Sequence, residues 1–582
     1  MRSRGVRVAR AASPRPGARG PLAPAAFLLG VVLAAAACGS DAPADLVLRG
    51  GVVRTMDEAL PTASAVAARD GRIVYVGDDA GVDAYVGDGT EVVELAGRLV
   101  LPGFHDTHVH PASGGVELGD CDLNPAETRT EVLRIVGECV ARAPEGAWVR
   151  GGGWQLPLFP GGAPPRELLD SLVPGRPAYL SSSDAHSAWV NSRALEIAGV
   201  TAVTVDPPPD GVIVRAADGS PQGTLRESAM GLVSRHVPPH TAEEVGAGLA
   251  RGLAMAASFG ITTLHEASAD EAFLRAYAAA EQDGSLTARA IVSLRVDPAR
   301  GTEQVAELVE LRERYSGTLV QPRAAKIFLD GVIEGGTAAL LDPYVERPDW
   351  RGELNVPADA LPALVAALDS AGFKVHVHAI GDRAIRVALD AFEARRATDG
   401  GAGPRHILAH IQLFDPADVP RFAELGVVAS FQPLWAYEDS YIRDLTEPRL
   451  GPERSRWLYP IRSVMETGAI VAAGSDWSVT SMNPLLAIET AIRRVNPRLQ
   501  EGEPGSEAWI PQERVELEQI LRAYTMGGAL AADMEAETGS ITPGKLADLI
   551  VLDRDLFQVD ATDISDARVE LTVLEGRVVH QR

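Results

Sequence analysis

At 582 residues, 46% of them apolar, the chain is long enough to bury a large core and too hydrophobic for wholesale disorder. Its 54 Lys and Arg face 79 Asp and Glu, a formal net charge of −25. That balance repels phosphate backbones, and no basic aromatic patch interrupts it, so a nucleic-acid partner is excluded.

The first segment differs from all that follows. Arg2, Arg4, Arg7, Arg10, Arg15 and Arg19 precede an uncharged run from Pro21 to Ala37, which ends in Ala35-Ala36-Ala37-Cys38. A basic start, a short apolar run and small residues before a cleavage point describe an export signal. The run is too short and too rich in Ala for a stable membrane-spanning helix. Residues 1–37 are therefore expected to be a lipoprotein-type signal peptide, and 38–44 a linker. Cys38 directly after the small residues resembles a bacterial lipobox, although Ala35 stands where Leu is usual. A membrane anchor through a lipid on Cys38 is the expectation, with a secreted or periplasmic soluble form as the alternative.

Residues 45–100 read as short strands between turns, such as Leu46-Val-Leu, Gly71-Arg-Ile-Val-Tyr-Val-Gly and Glu91-Val-Val-Glu-Leu. Residues 536–582 repeat that texture in Ala547-Asp-Leu-Ile-Val-Leu-Asp and Glu570-Leu-Thr-Val-Leu. The two ends together are expected to form one small composite β-sandwich domain. Between them, apolar β-branched runs recur at 104–110, 260–266, 288–296, 324–330, 374–380, 406–411, 427–433 and 469–476. Helix-like patterns such as 360–370 and 384–395 fill several gaps. Eight strands alternating with helices imply an α/β fold with a closed (β/α)8 TIM-like barrel over 101–535. The gap between the first two runs is too long for one crossover, so an inserted subdomain is expected over about 112–258. It contains Cys121 and Cys139, for which pairing and burial as free thiols both stay open; neither has a zinc-type Cys-x-x-Cys spacing.

The polar residues of these runs fall where a barrel gathers its active site, at the C-terminal ends of the strands. His108 and His110 stand two apart on the first, so their imidazoles share a face and can grip one metal ion. Lys326 lies inside the apolar fourth run, where a lysine is costly unless paired or chemically altered. His376 and His378 end the fifth, His410 the sixth and Asp476 the eighth. The set reads as a metal site.

On these residues the chain resembles the amidohydrolase superfamily, and within it the amidohydrolase-3 group of YtcJ-like proteins. The matching stretches are PGFHDTHVH at 102–110, DAHSAWVNSRAL at 184–195, GTLRESA at 223–229, GITT at 260–263 and KIFLDGVIEGGTAALLDPY at 326–344. HVHAIGDRAI at 376–385, RHILAH at 405–410, SFQP at 430–433, GSDWSV at 474–479 and GSITPGKLADLIVLD at 539–553 complete them. The resemblance implies one or two divalent ions, zinc first, with His108 and His110 on the first and His378 and His410 on the second. Lys326 matches a lysine that carbon dioxide carboxylates in several members, and Asp476 matches the catalytic aspartate and a metal ligand. A plain ammonium paired with an acid is the other reading of Lys326, and would leave one ion.

His376, His406, His265, Arg383, His186 and Trp154 are candidates for supporting the ligands or touching substrate, with packing as the alternative for each. Asp184 and Trp189 belong with His186 and Trp154 as a set suited to covering the barrel mouth. Two departures from many relatives bear on substrate: Ile407-Leu408-Ala409-His410 replaces Arg-Ile-Glu-His, and Leu434 replaces His after Gln-Pro. The implied activity is hydrolysis of an amide or formamide-like C–N bond in a small molecule, by metal-activated water and an Asp general base. Cyclic amides, ring deamination and a non-catalytic surface-anchored binding module are the alternatives. Oligomeric state is left open, a homo-oligomer included.

Overall fold

The computed structural model describes residues 42–582 apart from Glu145, Pro209, Gly401, Ala402, Gln500, Glu501 and Pro504. The expected signal peptide and the anchor residue Cys38 lie outside the described residues. Among those described, no helix is long and apolar enough to cross a membrane.

Eight parallel strands form the central sheet: β1 Phe104–Val109, β2 Ile261–Ala269, β3 Arg289–Arg295, β4 Val320–Phe328, β5 Lys374–Ala379, β6 Ile407–His410, β7 Val428–Phe431 and β8 Val471–Ala473. Neighbours in sequence are neighbours in the sheet throughout. Buried on both faces, β1, β5, β6 and β7 read as continuous runs rather than alternating ones. The seam between β8 and β1 is bridged just past β8, where the Asp476 N–H donates to the His108 carbonyl at 2.7 Å and the His110 N–H to the Trp477 carbonyl at 2.9 Å. Gly474 permits this approach, since a Cβ there would stand 2.6 Å from the His108 nitrogen.

After β1 the chain enters helix Pro111–Glu117, which lies against helix Ala242–Ser258. Gly248 and Gly252 allow the contact, because a side chain at either would strike the backbone of the shorter helix. Thr241 and Glu244 close a capping box at the start of the longer one. That helix leads straight into β2 and packs on the barrel, so the inserted sheet is shorter than the expected 112–258. Its six strands run from Cys121–Asp122 to Pro221–Arg226, in the order Val212–Arg215, Pro221–Arg226, Ser187–Val190, Ala178–Ser182, Val149–Trp154, Cys121–Asp122. Leu123, Val136, Leu169, Leu180 and the rings of Trp154 and Trp189 form its core. Cys121 and Cys139 are joined in a disulfide that ties the edge strand to helix Arg129–Arg142. The question left open by the sequence is answered by their 5.6 Å Cα separation.

A four-stranded sheet, Arg72–Gly77, Ala65–Arg69, Leu46–Arg49 and Glu91–Glu94, faces a six-stranded one built from both ends of the chain. In the second, Leu99–Pro102 pairs antiparallel with Leu549–Leu552, and its far edge is Arg577–Gln581. Leu48, Val66 and Ile73 pack with Val100, Leu549 and Val573 between the sheets, each such burial contributing about 1.5–3 kcal/mol. The strand Leu99–Pro102 carries this sandwich two residues beyond the expected boundary at 100, directly into β1.

Candidate metal centre

Alternation along β1 turns His108 and His110 to one side, and the backbone bonds across the seam bring Asp476 against them. His110 Nε2 lies 3.2 Å and His108 Nε2 3.6 Å from Asp476 Oδ1. One ligand atom from each of the three residues lies within 4.8 Å of the others, a donor set chemically suited to a divalent ion such as zinc. Asp476 and His410 both hold left-handed backbone, with φ of 53° and 73°. Such conformations cost on the order of 1–3 kcal/mol each and persist where the surroundings over-determine them.

Lys326, fully buried, points its Nζ to within 3.2 Å of His108 Nε2. Burial holds its ammonium down to about 7, so a neutral amine is accessible near neutral pH. Burial likewise keeps His108, His378 and His410 well below the usual imidazole range, in the neutral form that binds metal. At His110 burial works the same way, but the Asp476 and Glu266 carboxylates outweigh it and hold the ring up at about 9. This corner is built to surround positive charge.

His378 and His410 stand ring to ring at 4.5 Å, and His410 is 4.4 Å from His108. His378 Nε2 is 3.2 Å from the Gly331 carbonyl, and His410 Nδ1 is 3.1 Å from Gln432 Oε1. Trp435 stacks on the His410 ring at 5.6 Å. These two histidines are therefore at the centre, yet among the described residues the close three-way donor set is His108, His110 and Asp476 alone.

Behind the ligands, His376 Nε2 lies 2.9 Å from His108 Nδ1, and His376 Nδ1 lies 3.0 Å from Ser293 Oγ. His186 arrives from the insertion, its ring 5.2 Å from that of His378 and its Nδ1 2.8 Å from Glu227 Oε2. Three of the candidates take the packing alternative. Trp154 is wholly buried in the insertion core and donates Nε1–H to the Leu180 carbonyl at 2.9 Å, so it is packing. His406 shares a face with His410, but four strand residues span about 13 Å. It sits at the opposite end of β6, beside Phe392 at 4.6 Å and accepting the Val375 N–H. His265 is interior to β2 rather than at its end, with burial holding its ring down at about 3. Arg383 begins helix Asp382–Asp399, and among the described residues its guanidinium makes no hydrogen bond or ion pair.

Sequence reasoning missed Glu266, fully buried with Oε1 3.5 Å from His110 Nδ1 and Oε2 accepting from the Tyr277 hydroxyl at 3.1 Å. An acid closing the apolar run 260–266 was the available signal. It also missed Asp106, whose Oδ1 accepts the N–H groups of His108 and Ser475 at 3.2 and 3.0 Å. Asp330 was missed as well; it accepts the N–H groups of Ile380, Gly381 and Ala339, holding the turn after β5. Burial pushes both carboxyls up to about 7.

Comparison with known proteins agrees with this geometry. The amidohydrolase family (Amidohydro_3) matches residues 91–580. The chain belongs to the amidohydrolase family. It is 33% identical to the protein LONG AFTER FAR-RED 3 of Arabidopsis thaliana, over 92% of both chains. It is 30% identical to the putative amidohydrolase YtcJ of Bacillus subtilis, over 92% of this chain and 99% of that one. The N-substituted formamide deformylase of Arthrobacter pascens is 28% identical over 92% and 98%. Among solved structures, an uncharacterised metal-dependent hydrolase from Pyrococcus furiosus superposes with a TM-score of 0.67 at 26% identity, covering 88% of this chain and 99% of that one.

Proposed function

We propose that this amidohydrolase cleaves an amide or formamide-like C–N bond of a small molecule, using a divalent ion, zinc first, at the His108–His110–Asp476 set. The observation that carries the reading is Asp476 Oδ1 lying 3.2 Å from His110 Nε2 at the barrel seam, beside the buried amine of Lys326. Held by these residues, a divalent ion would supply Lewis acidity to a carbonyl and lower the pKa of water to about 7. Asp476 takes the proton of the attacking water and returns it to the leaving amine. Lys326, whose amine burial keeps available, is read as carboxylated, and His378 and His410 as holding a second ion. Trp435, nearly parallel to His410, holds that ring in place. Likeness to the N-substituted formamide deformylase supports a small formyl or acyl amide as substrate.

The chain is further read as exported and lipid-anchored at Cys38. The Cys121–Cys139 disulfide supports an oxidising compartment.

The test is metal analysis of the purified protein together with a panel of formamides, acyl-amino acids and cyclic amides followed by amine release. One to two equivalents of zinc with turnover of an acyclic amide is the expected result. A metal-free protein inert on every amide, and not activated by added zinc, overturns the reading.

A further inference from the structure

Two stretches of the insertion, DAHSAWVNSRAL and GTLRESA, match the family although neither lies on a barrel strand. The fold joins them to each other and brings His186 beside His378. His186 Nδ1 lies 2.8 Å from Glu227 Oε2, and the Glu227 N–H donates to the His186 carbonyl at 3.2 Å. Glu227 Oε1 accepts from the Thr337 hydroxyl at 2.6 Å, and that same hydroxyl oxygen accepts the Val332 N–H. The insertion is thereby tied to the loop that follows β4. Arg226 adds a bond to the Gly335 carbonyl at 2.8 Å, and Asp184 Oδ1 accepts the His186 N–H at 3.1 Å.

Both turns are strained at non-glycine residues. Ala185 has φ of 60° and Glu227 of 50°. Backbone in this region is strained at a non-glycine residue, and here both strained turns hold the same His186–Glu227 pair. What the two turns achieve is a fixed aim for one ring. His186, its side chain 15% exposed, stands 5.2 Å from the His378 ring, and among the described residues its Nε2 has no hydrogen-bond partner. An imidazole anchored to a carboxylate through one nitrogen presents the other in a set direction.

We propose that His186, held by Glu227, is the residue through which the insertion contacts bound substrate, its Nε2 hydrogen-bonding the acyl group over the metal centre. The inference rests on the amidohydrolase reading for the nature of that substrate. It gives the insertion a role in the chemistry beyond covering the mouth, and it absorbs the D-x-H and R-E-S elements into one device.

The test uses the zinc-loaded full chain and acetohydroxamate, an acyl group that binds metal-bearing sites without being an amide substrate. Calorimetry is expected to show His186→Ala weakening acetohydroxamate by about tenfold or more, near 1.4 kcal/mol. His186→Gln should recover part of the loss, and Glu227→Gln should fall between. Zinc stoichiometry and Tm should match the wild type in all three. An affinity within about twofold of wild type, loss of zinc in His186→Ala, or a wild-type holoenzyme that does not bind the hydroxamate each overturns the proposal. A wild type that binds the hydroxamate yet hydrolyses no amide sinks the hydrolase reading alone, and the affinity ratio still decides the role of His186.

Discussion

The two ends of the barrel treat buried charge in opposite ways. Where β3 and β5 begin, each cation has an acid of its own. Arg289, 1% exposed, bonds Asp548 at 2.9 Å and Glu575 at 2.6 Å, and Lys374 meets Asp533 at 2.9 Å. Where the strands finish, Lys326 has an imidazole beside it at 3.2 Å, while among the described residues Glu266 Oε1 and Asp106 Oδ2 lack hydrogen-bond partners. A buried charge that is fully paired has its partner within the fold, and removing that partner is what costs stability. Imidazoles gathered round one carboxylate, with His108 and His410 held neutral by burial and the Lys326 ammonium pushed down by it, are arranged instead for a bound cation.

Breaking this contrast at its catalytic end should have the largest effect. Asp476→Asn is expected to weaken zinc and, at saturating zinc, to lower turnover of a confirmed substrate by about a thousandfold or more, within the range for a lost proton-transfer group; full activity in the variant would remove Asp476 from the chemistry. At the other end Arg289→Met strands a buried carboxylate and should cost about 3–5 kcal/mol in urea unfolding. Its metal content should not change. Zinc loss without destabilisation would show that the two ends are not separate.

Smaller changes sharpen the comparison. His376→Ala leaves every proposed ligand in place but frees His108 Nδ1, and should weaken zinc about 10–100-fold in a chelator competition. Unchanged zinc affinity would reduce His376 to a packing residue. Ser293→Ala, one step further back, should weaken zinc by less than His376→Ala, and a larger effect would reverse the order of the chain His108–His376–Ser293.

Much of the fold is legible in the sequence because parallel strands buried on both faces leave continuous apolar runs. Each of the eight runs corresponds to a barrel strand. The polar residues that interrupt their ends, His108, His110, His378, His410 and Asp476, are visible for the same reason. His406 misled because spacing on a strand reports which face a residue takes and is silent about how far along it lies. Trp154 looked suited to the mouth because an aromatic ring in an insertion carries no mark of which side it packs on. The disulfide, Glu266 and the His186–Glu227 pair depend on contacts between distant segments, which local periodicity does not encode.

By itself, then, the sequence determined the barrel, its β-rich termini and the candidate metal-binding side chains, since hydrophobic period and residue chemistry are local properties. Only the tertiary structure decided which of those side chains share a donor set, that His376 backs His108, and that the insertion sends His186 to the centre. Those facts follow from Gly474 letting β8 touch β1 and from strained turns at Ala185 and Glu227. Their consequences are realised within 5.2 Å across space, between residues 41 to 368 positions apart in the chain.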